Sequence, residues 1–256
     1  MKKILVFAVV TLFSISVFAQ PVFDYNGIYY KPTSSTTVSV IANPDGTKYS
    51  GDITIPYAVP YIGKRGTITF TVTSIADSAF FQCKELTSID LPTSIAVIGK
   101  ESFCDCRLLK SIKLPNITNV PYDAFCGCKE LESVDISNVT TIDEYAFYDC
   151  RFLKSISDLS NVKEIPRRAF YRCDSLSEVH LPSTLKKTYS DIFEGCESLS
   201  FIYLNSKNDT VRIDMNNGDK GFVRNSDRLL FLHSFDDDMC EFYKDGEYIK
   251  FDENVL

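Results

Sequence analysis

From Val72 to Leu204 the apolar positions recur every 22–23 residues. Each period carries a phenylalanine, a cysteine three residues later and a leucine three further on. The sets are Phe80/Cys83/Leu86, Phe103/Cys106/Leu109, Phe125/Cys128/Leu131, Phe147/Cys150/Leu153, Phe170/Cys173/Leu176 and Phe193/Cys196/Leu199. A period of this length marks stacked supersecondary units, none of which can bury its apolar face alone. Within a unit, the last four residues of Leu86 to Leu91 alternate between apolar and polar, which predicts a short strand. Pro92 ends it, since proline has no N–H for a central ladder. Pro115 and Pro182 recur there, and Ser137-Asn138 and Ser160-Asn161 supply turn chemistry where proline is missing. A second apolar pair follows, such as Ile95 and Ile98, and then a turn or one-turn helix carrying Ala79-Phe80 or its equivalent. The expected class is an α/β-type solenoid dominated by short β-strands, with about six units between β-rich ends.

The flanks lack the period. In residues 20–71, Asn26-Gly27 between aromatic residues signals a hairpin. Val38 to Ala42, the turn residues Asn43 to Gly46, and Lys48-Tyr49 read as a second hairpin. Ile53 to Pro56 resembles a repeat strand, and Ile68 to Val72 alternates into the first unit. In residues 205–256, Asn216 to Asp219 reads as a turn, Leu229 to Leu232 as a strand, and Phe242 to Phe251 as a hairpin about Asp245-Gly246. Both flanks are expected to be β-rich caps, since terminal repeats have to close the exposed core.

Lys2 and Lys3, the apolar run Ile4 to Phe18, and Val17-Phe18-Ala19 form a signal peptide over residues 1–19, with the mature chain starting at Gln20. No second apolar run of spanning length follows, so no transmembrane segment is expected after cleavage. The expected localisation is therefore exported: periplasm, cell surface or secreted. A net charge of −7 without a basic stripe argues against nucleic acid as partner.

Six of the nine cysteines sit at one repeat position, where each acts as a small buried hydrophobe. Cys104, Cys126 and Cys240 are left over. Pairs separated by one residue, such as Cys104/Cys106 and Cys126/Cys128, are too close for zinc spacing. Cys104 and Cys126 occupy equivalent positions in adjacent units. Their separation permits a disulfide while their parallel side chains oppose it, so both states stay open.

The unit reads Leu-x-Ser-Ile-x-Leu-Pro, a spacer, Val/Ile-x-x-Ile, then Ala-Phe-x-x-Cys, and this resembles the BspA-like leucine-rich repeat over residues 72–204. The resemblance implies an exported protein of the kind found in bacteria of the Bacteroides group. It implies a non-catalytic role in adhesion, with an extracellular protein or a glycan of a host or neighbouring cell as partner. The alternative class is a glycan-binding or structural module of the cell envelope.

A strand in such a stack shows two side chains per unit to solvent. These are Ser88/Asp90, Ser111/Lys113, Ser133/Asp135, Ser155/Ser157, Glu178/His180 and Phe201/Tyr203. Lys113, Asp135, Glu178, His180, Phe201 and Tyr203 are the candidate ligand contacts, because aromatic and charged anchors dominate interfaces. Phe201 and Tyr203 equally suit a seat beneath the C-terminal segment. No cofactor, metal or catalytic residue is expected. The chain has no Gly-x-Ser-x-Gly, His-Glu-x-x-His or phosphate-binding glycine loop. Asp236, Asp237 and Asp238 lack the spacing of a calcium loop.

Overall fold

The computed structural model describes residues 21–64, 66–114, 116–156, 159–181 and 192–199, and beyond them the backbone of five strands. The expected signal segment, the 216–219 turn, the 229–232 strand and Asp236 to Asp238 lie outside the described residues.

The chain begins with β1 (Phe23–Tyr25), β2 (Ile28–Pro32), β3 (Thr37–Ile41), β4 (Gly51–Thr54), β5 (Ala58–Gly63) and β6 (Gly66–Ile75). The Asn26-Gly27 hairpin is present, with Tyr25 opposite Ile28. Both turn residues have positive φ, 53° and 78°, as a two-residue turn matched to strand twist requires. The second expected hairpin is absent. Asn43 to Gly46 do turn, with Gly46 N–H donating to Asn43 O at 2.9 Å. Lys48-Tyr49 then forms no strand. Tyr49 turns inward instead: its hydroxyl donates to Ile41 O at 2.8 Å and accepts from Tyr29 N–H at 3.1 Å. A β5–β6 hairpin, not expected from the sequence, pairs Ala58 to Gly63 with Gly66 to Thr71. One sheet runs β1-β2-β3-β6-β5, with β3 and β6 parallel.

The units supply β7 (Leu86–Asp90), β8 (Val97–Ile98), β9 (Ser111–Lys113), β10 (Asn119–Val120), β11 (Ser133–Asp135), β12 (Thr141–Ile142), β13 (Ser155–Ile156) and β14 (Glu178–Leu181). β4 pairs in parallel with β7, so the stack of repeat strands begins one strand before the first regular unit. β9, β11 and β13 form a parallel sheet in register. The shorter strands form a second side: β8 pairs with β6, and β12 with β10. β15 (Phe201–Asn205) continues beside β14 in parallel and then pairs antiparallel with β16 (Thr210–Asp214). β17 (His233–Ser234), β18 (Cys240–Lys244) and β19 (Glu247–Ile249) form an antiparallel group. Lys244 pairs with Glu247 there, as the Asp245-Gly246 reading requires.

The core consists of columns. Phe80, Phe103, Phe125, Phe147 and Phe170 are fully buried. Their rings stack at 5.2–5.4 Å between centroids and within 5° of parallel. Phe193 continues the stack at 5.8 Å, and Tyr49 covers its other end at 5.1 Å from Phe80. Stacks of this kind contribute about 0.5–1.5 kcal/mol each beyond burial.

The third side of each unit corrects the α/β expectation. Among the described residues it holds turns and no helix. Two residues per unit take left-handed backbone, two before and two after the phenylalanine: Ser78 and Gln82, Glu101 and Asp105, Asp123 and Gly127, Tyr145 and Asp149, Arg168 and Arg172. Left-handed non-glycine residues cost about 1 kcal/mol. The cost is offset by hydrogen bonds that alternate in direction. Ser78, Phe80 and Gln82 donate to Lys100, Ser102 and Cys104 of the next unit at 2.8 Å. Ala79, Phe81 and Cys83 donate back to Ala76, Ser78 and Phe80 at 3.0–3.3 Å. Because every second N–H is committed to the neighbouring unit, the i→i−4 bonds of a helix cannot form. Packing between units is close here. A Cβ on Gly99 would collide with the backbone of Asp77 and Ala76.

Candidate interaction surface

Period-two alternation over residues 111–114, 133–136 and 178–181 sends Ile112 and Leu114, Val134 and Ile136, and Val179 and Leu181 into the core. The residues that alternate with them face solvent. Parallel register then lines these up within each sheet. Asp52 stands beside Ser88 and Thr54 beside Asp90. Ser111, Ser133 and Ser155 are neighbours, and Lys113 stands beside Asp135. Glu178 pairs with Phe201, and His180 with Tyr203. Asp52, Ser88, Asp90, Ser111, Lys113, Ser133, Asp135, Ser155, Glu178 and His180 are all exposed.

Register pairs Lys113 with Asp135 in the sheet of β9, β11 and β13, and Glu178 and His180 with Phe201 and Tyr203 in a separate sheet of β14, β15 and β16. Asp135 also has a local task, since its carboxylate accepts Ser137 N–H at 3.2 Å and shapes the turn after β11. Glu178 Oε1 lies 3.8 Å from His180 Nε2, with both side chains about half exposed. Between β4 and β7, the Asp52 carboxylate accepts the hydroxyls of Ser88 at 2.6 Å and Thr87 at 2.7 Å. These bonds hold its pKa below the ordinary carboxylate value.

The sequence reading missed a second surface on the turn side. Tyr122 and Tyr145 meet edge to face at 5.6 Å, Tyr145 and Tyr148 lie tilted at 5.8 Å, and Tyr148 and Tyr171 stack at 4.9 Å within 3°. The Arg168 guanidinium lies 5.7 Å from the Tyr171 ring centroid. Tyr122 is exposed, and the Asp123 carboxylate beside it raises its hydroxyl pKa. The stripe borders an open cleft of about 730 Å³ lined by Lys100, Tyr122, Thr140, Glu144, Lys163 and Pro166. The available signal was four tyrosines within four residues of the phenylalanine position in three successive units.

Among the described residues no group of three or more His, Cys, Asp or Glu gathers as a metal site. The thiols of Cys106, Cys128, Cys150 and Cys173 are pushed up chiefly by burial, which keeps them protonated and unreactive. No helix among the described residues is long and apolar enough to cross a membrane.

The BspA type leucine-rich repeat region matches residues 73–200 in six copies. Solved structures similar to this chain include a leucine-rich repeat protein from Bacteroides ovatus, at 23% identity and TM-score 0.53, over 71% of this chain and 53% of that one. A leucine rich cell surface protein from Faecalibacterium prausnitzii matches at 22% identity and TM-score 0.55, over 82% and 63%. The T. pallidum leucine-rich repeat protein matches at 27% identity and TM-score 0.55, over 65% and 73%. The chain thus spans 53% and 63% of the length of the first two. No curated protein matches it.

Proposed function

The chain belongs to the BspA type leucine-rich repeat family, and from that premise we propose that it is a non-catalytic, exported adhesion protein that binds an extracellular protein through its long-strand side. The observation that carries this reading is the exposure of Asp52, Asp90, Lys113, Asp135, Glu178 and His180 on successive repeat strands, with Lys113 set beside Asp135 by parallel register. These side chains lie outside the core, and side chains outside the core are free to be chosen for a partner. In this reading residues 72–204 wind as one solenoid, residues 20–71 and 205–256 close its ends, and residues 1–19 direct export. A cell-surface location agrees with the name of the Faecalibacterium protein.

The test uses the chain from Gln20 against a panel of purified extracellular proteins and a glycan array. Binding to a protein that falls at least tenfold in Lys113→Glu, or in Glu178→Ala with His180→Ala, supports the strand side. Undiminished binding in these variants and in Phe201→Ala with Tyr203→Ala overturns it. A second reading, glycan binding, is favoured by the tyrosine stripe beside its cleft, since sugar rings stack on aromatic faces. It predicts array signals lost in Tyr122→Ala.

A further inference from the structure

One position on the turn side, immediately after each stacked phenylalanine, carries Phe81, Cys104, Cys126, Tyr148, Tyr171 and Glu194 in successive units. Two thiols therefore replace aromatic rings in adjacent rungs. The backbone fixes them as direct neighbours: Gln82 N–H donates to Cys104 O at 2.8 Å, and Asp105 N–H to Cys126 O at 2.7 Å. Between them Phe103 N–H donates to Ala124 O at 2.9 Å. The Cys104 and Cys126 side chains are hydrogen-bonded to each other, and Asp123 is hydrogen-bonded to Cys126.

These two differ from the ladder cysteines. Cys83, Cys106, Cys128, Cys150 and Cys173 are at most 1% exposed, whereas Cys104 and Cys126 are only half-buried and both reduced. The thiols of Cys106, Cys128, Cys150, Cys173 and Cys196 are each spent on a phenylalanine carbonyl. We propose that Cys104 and Cys126 form a redox-active dithiol that closes reversibly to a disulfide clasping the second and third units.

The oxidant is a low-molecular-weight disulfide, and the step is thiol–disulfide exchange. The Cys104 thiolate attacks one sulfur of the reagent, breaks its S–S bond and expels one thiolate. Cys126 then attacks the Cys104 sulfur of the mixed disulfide, forms the intramolecular S–S bond and expels the second thiolate. Two electrons pass to the reagent, and the protons of the two cysteines end on its two thiols. Cys104 attacks first because the Cys126 thiol is held protonated by its bond to Cys104 and by burial; taking Cys104 into the mixed disulfide removes that bond, and Cys126 passes its proton to the departing thiolate as it attacks. Equivalent side chains on parallel rungs stand about 4.8 Å apart, wider than the roughly 3.8 Å between Cβ atoms of a relaxed disulfide. The bridge must draw the rungs together, and a strained, accessible disulfide is the labile kind.

The test equilibrates the chain from Gln20 with reduced and oxidised glutathione at graded ratios, alkylates free thiols and maps peptides by mass. The expected result is one internal disulfide between the Glu101–Arg107 peptide and the peptide containing Cys126, reversed at the reducing end. Cys104 shares its tryptic peptide with Cys106, and Cys126 with Cys128, so variants assign the bridge. Cys104→Ser and Cys126→Ser each abolish it, while Cys106→Ala and Cys128→Ala leave it intact. Two free thiols at the oxidising end overturn the proposal. So does glutathione retained on Cys104, or a bridge that survives Cys104→Ser.

Discussion

Cys128 donates its thiol to the carbonyl oxygen of Phe103 at 3.0 Å, across the boundary between two units. The same oxygen accepts Cys106 N–H at 3.1 Å from its own unit. Both lone pairs of a buried carbonyl are thus used, and the arrangement repeats at Phe80, Phe125, Phe147 and Phe170. Cysteine suits the position because it is small, apolar in bulk and still carries a weak donor.

Cys128→Ala therefore removes a buried sulfur and one of two donors to Phe103 O. The expected loss is about 1–2 kcal/mol in urea denaturation, from a small cavity plus a weakened hydrogen bond. Cys104→Ala, at a half-buried position in the turn of the preceding unit, should change stability by no more than about 0.5 kcal/mol. Equal effects at the two sites would show that the carbonyl contact adds nothing to ordinary packing.

Ser102 breaks the alanine column formed by Ala79, Ala124, Ala146 and Ala169. It is fully buried, and its hydroxyl has no hydrogen-bond partner among the described residues. An unsatisfied buried hydroxyl costs about 1–3 kcal/mol. Ser102→Ala restores the column and should raise stability by about 1 kcal/mol in the same assay. A loss instead would place a buried water on the hydroxyl.

The columns were legible from the sequence because a repeat samples one position many times. Phe80 to Phe193 could be assigned to a single stack without any local propensity. The exposed strand positions followed from the same alternation, and the Asn26-Gly27 turn from its backbone chemistry. What stayed hidden is set by relations between units or by backbone geometry without a residue signature. Ser78, Glu101, Tyr145 and Arg168 share a left-handed conformation, yet none is a glycine or asparagine that would announce it. The inter-unit hydrogen bonds that offset this conformation have no sequence mark at all. Lys48-Tyr49 reads as a strand because the task of Tyr49, bridging Tyr29 N–H and Ile41 O, arises only from contacts of the folded chain. The tyrosine stripe is spread over offsets that become contiguous only when the units stack.

Asp123 couples this turn side to pH. Partial burial raises its carboxyl pKa, and the Glu101 carboxylate in the preceding unit raises it further, against the opposing bond from Cys126. A folded-state value above the unfolded one means that the native state binds this proton more tightly. The group's contribution to stability accordingly grows as pH falls through the folded value toward the unfolded one, and is absent above both. Asp123→Asn removes the charge while keeping a residue that tolerates the left-handed backbone there (φ 54°). The variant should be more stable than wild type at pH 7, by a margin of about 0.5 kcal/mol or less because the site is partly solvated. That margin should shrink as the pH is lowered toward 4. Urea midpoints of the two proteins between pH 4 and pH 8 provide the measurement. A gap that is constant with pH would assign the gain to the backbone alone, and a variant less stable at pH 7 would make the Cys126 bond the dominant interaction.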